Sequence, residues 1–141
     1  ILTNCKTAEM IKYASNSVLA TLISFSNEIG RLCTAVGDVD VADVMRGVHA
    51  AGYFTVGSGD ESARRAPITA FLEAGCGFGG SCLPKDVTAL VAQGRSFGIE
   101  MPLLESVLRI NRSQPSELLD ILRRKMGDLS GLRVTVLGLA F

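Results

Sequence analysis

The chain has 141 residues, 48% of them hydrophobic, which suits one ordinary domain with a real core. Lys plus Arg and Asp plus Glu each number 14, so nothing draws the chain generally towards nucleic acid or an anionic membrane surface. No apolar run approaches the roughly 20 residues of a membrane span, and Ile1-Leu2-Thr3-Asn4-Cys5-Lys6 lacks the layout of a signal peptide.

From about Cys5 to Ala35 good helix formers and apolar residues run without proline. Ile11, Val18, Leu22, Phe25, Ile29 and Leu32 recur at spacings of three, four or seven, which predicts one long amphipathic helix. A helix of roughly 30 residues is about 45 Å long, long for a small domain, and invites a partner along its length. Gly37-Asp38 should end it, and Asp40 should N-cap a short helix over Val41–Ala50. Residues 52–67 are the most loop-like segment. Helices should resume over Pro84–Phe97, with Gly98 as a stop, and again from Pro102. Pro115 should kink that helix or start a new one, ending near Gly127. The β-branched tail from Leu132 to Phe141 reads instead as the first buried strand of a parallel α/β domain.

The expected fold is therefore all-α, a bundle built on a long helix, with one short terminal β-strand. Residues 1–112 should form the helical domain and 113–141 the helix and first strand of a second, truncated one. The missing initiator methionine and the absent dinucleotide loop lead us to expect a piece of a longer protein.

The densest chemical information lies in Gly77-Phe-Gly-Gly-Ser-Cys-Leu-Pro-Lys-Asp86. Glycines at 77, 79 and 80 admit unusual torsions and close approach of a ligand to the backbone. Pro84 is suited to the first helical position, which places Cys82 beside a helix N-terminus. Free N–H groups there, with Lys85 within one turn, favour a thiolate and hence a nucleophile. The competing reading of a free cysteine is a small buried apolar residue. The other cysteines, at 5, 33 and 76, form no Cys-x-x-Cys pair and have no nearby histidines, which argues against zinc and for a reduced, cytoplasmic setting.

A second constellation lies on the first helix. Lys12 and Asn16 are four residues apart and share a face with Leu19 and Ile23. Polar groups at one end of an apolar stripe need partners. If that face meets the Cys82 loop, Lys12 can stabilise an oxyanion and Asn16 can orient it or a water.

Ala8-Glu-Met-Ile-Lys-Tyr-Ala-Ser-Asn16 together with Gly77 to Asp86 resembles the central region of the UDP-glucose/GDP-mannose dehydrogenase family. Val134 to Phe141 is similar to the opening strand of that family's carboxy-terminal domain. The resemblance implies an NAD-dependent, two-step oxidation of a sugar-nucleotide primary alcohol, with Cys82 capturing the aldehyde as a thiohemiacetal that becomes a thioester. It implies oxyanion and water roles for Lys12 and Asn16, and a proton-transfer or hydrolytic role for Asp86. By the same resemblance Lys85 lies near the cofactor, while Phe71, Phe78 and Gly79 contact the nucleotide sugar. It implies a homodimer through the long helix; no nucleic acid, membrane or metal partner is expected, on the charge balance, hydropathy and cysteine spacing above.

Some residues depart from that pattern. Glu73 stands where some relatives carry a base that meets phosphate, and Leu83 replaces the aromatic residue frequent in UDP-glucose enzymes. Arg64 and Arg65 lie in the loop from which relatives send an arginine to a neighbouring subunit, but a plain solvated pair is the better reading of them. No Gly-x-Gly-x-x-Gly loop is present, so the chain is expected not to oxidise sugar nucleotides alone. UDP-glucose is the first choice of substrate, because the run from Ala74-Gly75 to Cys82 resembles that branch, and GDP-mannose is the alternative through Leu83. A stand-alone helical dimerisation module and a redox-sensing thiol protein using Cys82 and Cys76 are the readings from other classes.

Overall fold

The computed structural model describes residues 1–56 and 64–138. Helix α1 spans Cys5–Val36, 32 residues without a proline. The Asn4 side chain caps it by accepting from the Thr7 N–H at 2.9 Å, and Gly37 stops it with φ +76°. Helix α2 covers Val41–His49, with Asp40 accepting from the Ala42 N–H at 2.8 Å, the N-cap that the sequence predicts. Helix α3 spans Leu83–Ser96 and α4 spans Pro102–Met126. No helix among the described residues is long and apolar enough to cross a membrane.

Helix α1 lies against α3, α4 and α2. Its inward face is narrow in volume: Ser17, Ala20, Ser24 and Ser26 are buried beside Ile23 and Asn27. Such small side chains let neighbouring segments approach, provided each hydroxyl finds an acceptor. Ser26 donates to the Leu72 carbonyl at 2.7 Å and Ser24 to the Val107 carbonyl at 3.4 Å, whereas the Ser17 hydroxyl has no partner among the described residues. The core gathers Ala20, Ile23, Leu72, Phe78, Val87, Val91, Leu104 and Val107. Full burial of each larger member contributes roughly 1.5–3 kcal/mol. Three helices and the loop before Cys82 thus share one core, which fixes that loop relative to α1.

The outward face of α1 carries a second apolar row. Val18, Leu22, Phe25, Ile29, Leu32 and Val36 follow alternating spacings of four and three. Val18 is 57%, Phe25 47%, Leu32 59% and Val36 65% exposed. The periodicity expected from the sequence is there, but most of this row stays exposed among the described residues.

Four details depart from expectation. Leu83, not Pro84, is the first residue of α3, and Pro84 occupies the second position. Proline is tolerated there for the same reason, since first-turn N–H groups have no helical acceptor. Of the two outcomes expected at Pro115, a kink or a new helix, the new helix does not occur: α4 continues through it to Met126. The turns around the proline are held from outside: Arg31 reaches Glu117 at 3.2 Å and Ser113 at 3.4 Å. The loop-like stretch contains a two-residue antiparallel ladder, β1 (Thr55–Val56) with β2 (Arg64–Arg65), Thr55 opposite Arg65. Finally, Leu132–Gly138 forms no strand, and Leu132, Val134 and Val136 are exposed. A buried parallel strand needs neighbours on both edges and helices on its faces, and no described segment supplies them. The remainder of that expected strand, residues 139–141, lies outside the described residues.

Candidate active site

Asp86 is the centre of the site. It sits in the first turn of α3, is only 2% exposed, and receives partners from two helices. Asn16 Nδ2 donates to Asp86 Oδ2 at 2.5 Å. Lys12 Nζ lies 3.8 Å from the same oxygen, and Lys85 Nζ lies 2.8 Å from Oδ1. Lys12 and Asn16 reach it together because residues four apart on a helix lie on one face. Buried carboxylates require this kind of partnership.

The charges respond accordingly. The bond from Lys85 holds the Asp86 carboxyl below its ordinary value; burial opposes that, while Asn16 and the charges of Lys85 and Lys12 reinforce it. Lys85 is held above its ordinary value, mainly by its bond to Asp86 and the carboxylate's charge, with small additions from Tyr13 and Cys82. The Lys85 ammonium also lies 5.8 Å from the Tyr13 ring centroid. The sequence reading placed Lys85 beside the thiol and near a cofactor. In the structure its close partner is Asp86.

Cys82 is exposed at the N-cap position of α3, and its carbonyl accepts the Asp86 N–H at 2.9 Å. Its sulfur lies 3.8 Å from Ser81 Oγ. A cysteine that is exposed at a helix N-terminus departs from the buried, inert alternative. Lys12, Asn16, Lys85 and Asp86 therefore form one cluster, and Cys82 stands one helical turn before its centre.

The two aromatic candidates separate. Phe78 is 8% exposed and belongs to the core, whereas Phe71 is 64% exposed at the end of a 3-10 turn over Pro67–Phe71. Gly79 follows Phe78 and is half-buried. Glu73 points its carboxylate towards buried His49, 3.8 Å from Nδ1. Arg64 and Arg65 are exposed on β2.

Three residues that the sequence reading passed over hold the loop. Asn111 Oδ1 accepts from the Phe78 N–H at 2.7 Å, and its Nδ2 donates to the Phe78 carbonyl at 2.9 Å. Gln114 Nε2 donates to the Gly75 carbonyl at 2.7 Å, and Asn27 Oδ1 accepts from the Gly75 N–H at 2.7 Å. The signal was present: carboxamides at i and i+3 on a helix with an apolar face, which need partners once buried.

The chain as a whole has counterparts among known proteins. Residues 6–113 match the UDP-glucose/GDP-mannose dehydrogenase family, central domain. The chain belongs to that family. Over 141 residues it is 45% identical to UDP-glucose 6-dehydrogenase TuaD of Bacillus subtilis, covering all of this chain and 28% of that protein. It is 43% identical over 141 residues to UDP-glucose 6-dehydrogenase AglM of Haloferax volcanii, again covering all of this chain and 29% of the relative. In structure it resembles a UDP-glucose dehydrogenase from the hyperthermophilic archaeon Pyrobaculum islandicum, with a TM-score of 0.72 and 37% identity. That match covers 90% of this chain and 26% of the other. As a family member, then, the chain spans less than a third of the length of these relatives.

Proposed function

We propose that this chain is the central, cysteine-bearing segment of an NAD-dependent UDP-glucose 6-dehydrogenase. The observation that carries the reading is the cluster around Asp86, assembled from α1 and α3 one turn beyond an exposed cysteine. The reaction class needs a hydride acceptor, and NAD is the one the family implies. The described residues form no parallel sheet and no glycine-rich dinucleotide turn, so they do not fit that cofactor by themselves.

This chain's own residues act on the aldehyde stage. The Cys82 thiolate adds to the aldehyde carbon, a C–S bond forms, and the carbonyl electron pair moves onto oxygen. The Lys12 ammonium sits 3.8 Å from Asp86 Oδ2 on a side chain that is 62% exposed, so its remaining N–H donors can face that oxyanion. Loss of a hydride from the carbon of this adduct leaves a thioester. Water then adds to the thioester carbonyl, and the thiol departs as the carboxylate forms. Asn16 spends its N–H on Asp86, which leaves its Oδ1 to orient that water. Asp86, kept ionised by Lys85 and Asn16, supports the hydrolytic step by holding Lys12 and Asn16 in place and offering its negative charge to the developing proton transfer. Lys85 thereby serves the aspartate first, whatever it also contributes to a cofactor.

Phe71 and the backbone at Gly79 are the surfaces offered to the nucleotide sugar, while Phe78 supports them from the core. Leu83 packs against the core, so it is weak support for the GDP-mannose alternative. The exposed row Val18–Val36 of α1 supports pairing with a second copy of the chain, as a homodimer.

The test uses the longer polypeptide of which this segment is the proposed centre, assayed with UDP-glucose and with GDP-mannose. UDP-glucose should yield NADH and carboxylate, and Cys82→Ser should abolish carboxylate formation. Turnover retained in Cys82→Ser overturns the nucleophile. NADH made by the isolated 141-residue chain overturns the claim that it needs its flanking domains.

A further inference from the structure

The stretch that presents Cys82 is anchored at two ends. At its far end the Cys82 carbonyl is tied into α3 by the Asp86 N–H. At its near end both backbone groups of Phe78 are taken by one side chain, Asn111 of α4. Only Gly79, Gly80 and Ser81 lie between, and two of these are glycines whose backbone holds no conformation by itself. Just upstream, Asn27 and Gln114 take both backbone groups of Gly75. Loop backbone groups ordinarily turn to water, so four bonds from three helix-borne carboxamides are a fixed mount.

Gly77 makes room for it. Its φ is +93°, and a Cβ there would stand 2.4 Å from Asn111 Oδ1. The first glycine of the loop is needed by a contact with α4 as well as by its own torsion.

We propose that Asn111 is a positioning residue for Cys82, holding the near end of the nucleophile's turn through Phe78 so that Gly79-Gly80-Ser81 has one conformation. This deepens the reading of Cys82 as nucleophile and rests on it; the mount can be tested without catalysis.

The experiment uses the 141-residue chain with Cys5→Ser and Cys76→Ser, its Cys82 alkylated with a trifluoromethyl ketone reagent. Cys33, 7% exposed, stays unlabelled while the fold is intact. Two signals are read: hydrogen exchange at the Phe78 amide and the fluorine line of the Cys82 label. In Asn111→Ala, Phe78 exchange should accelerate by about ten- to thirtyfold, as for loss of two hydrogen bonds of ordinary net strength. The fluorine line should broaden or split, while exchange at Val87 and Val91 holds and Cys33 stays unlabelled. Asn111→Asp near neutral pH should still accept the Phe78 N–H but cannot donate to the Phe78 carbonyl, so the fluorine line should broaden with a smaller rise in Phe78 exchange than in Asn111→Ala. It should recover as pH falls towards about 4, where the protonated acid donates again.

Unchanged Phe78 exchange or an unchanged fluorine line in Asn111→Ala overturns the proposal. So does acceleration at Val87 and Val91 with Cys33 becoming labelled, provided Asn111→Asp also fails to recover at low pH. Turnover retained by the longer polypeptide carrying Cys82→Ser refutes the nucleophile reading instead, and separates the two failures.

Discussion

Replacing Phe25 by Asp should split the proposed dimer. The ring lies in the exposed row of α1, between Leu22 and Ile29, and 47% of the residue is still open in the single chain. Full burial of a phenylalanine contributes about 1.5–3 kcal/mol, so covering the remaining half contributes roughly 1 kcal/mol per copy. A carboxylate in its place must also shed water without a partner, which costs at least another ~1 kcal/mol. In a two-fold pairing each substitution counts twice, which brings the loss to about 4 kcal/mol, or roughly a thousandfold in Kd. The assay is sedimentation or light scattering across a concentration series reaching tens of micromolar, with helix content followed by circular dichroism. The parent chain should be a dimer and Phe25→Asp a monomer with unchanged helix content. A monomeric parent, or a Phe25→Asp chain that dimerises with the same Kd, refutes the pairing through this row.

Leu72→Ala should destabilise the chain by about 2–5 kcal/mol in denaturant titration, because Leu72 is 2% exposed in the shared core; an unchanged midpoint would contradict the packing. Gly77→Ala should cost at least ~2 kcal/mol through its φ of +93° and the meeting with Asn111 Oδ1. Combining it with Asn111→Ala should recover about 1 kcal/mol relative to the sum of the single changes, and strict additivity would show that the two residues do not touch. The pH dependence follows from the ion pair. Asp86 titrates below its ordinary 3.8 when folded, so its contribution is complete above that value and is lost as pH falls through the lower folded one. Lys85 titrates above its ordinary 10.5, so its contribution is complete below that value and is lost as pH rises through the higher folded one. Urea unfolding followed from acid to alkaline pH should show both limbs reduced in Asp86→Asn, since that change removes the cause of both shifts; identical profiles would contradict the pairing.

How much of this was legible beforehand depended on the range of the interaction. The caps at Asp40, Gly37 and Gly98 are local, and each behaves as its residue type requires. Lys12 and Asn16 were found because helical periodicity alone puts them on one face, and the polar end of an apolar stripe needs a partner. That the partner is Asp86 follows from the packing of α1 on α3, 70 positions away in the sequence. The split of Phe71 from Phe78 was invisible, because both are aromatic residues in loops and only the core decides which is buried. The loop mount was missed for a related reason: Asn111 and Gln114 read as polar positions on a helix until the glycine-rich loop lies against them.

By itself the sequence determined the long α1, the helix ends, the placing of Cys82 at a helix N-terminus and the family motifs. These rest on interactions within a turn or two of chain, or on residue types in fixed order. The tertiary structure decided which partners the titratable groups take, giving Lys85 an ion pair with Asp86. It also decided which apolar row of α1 is spent on the core and which is left exposed among the described residues. Periodicity marks a row as apolar, but burial depends on what else the chain brings to that side.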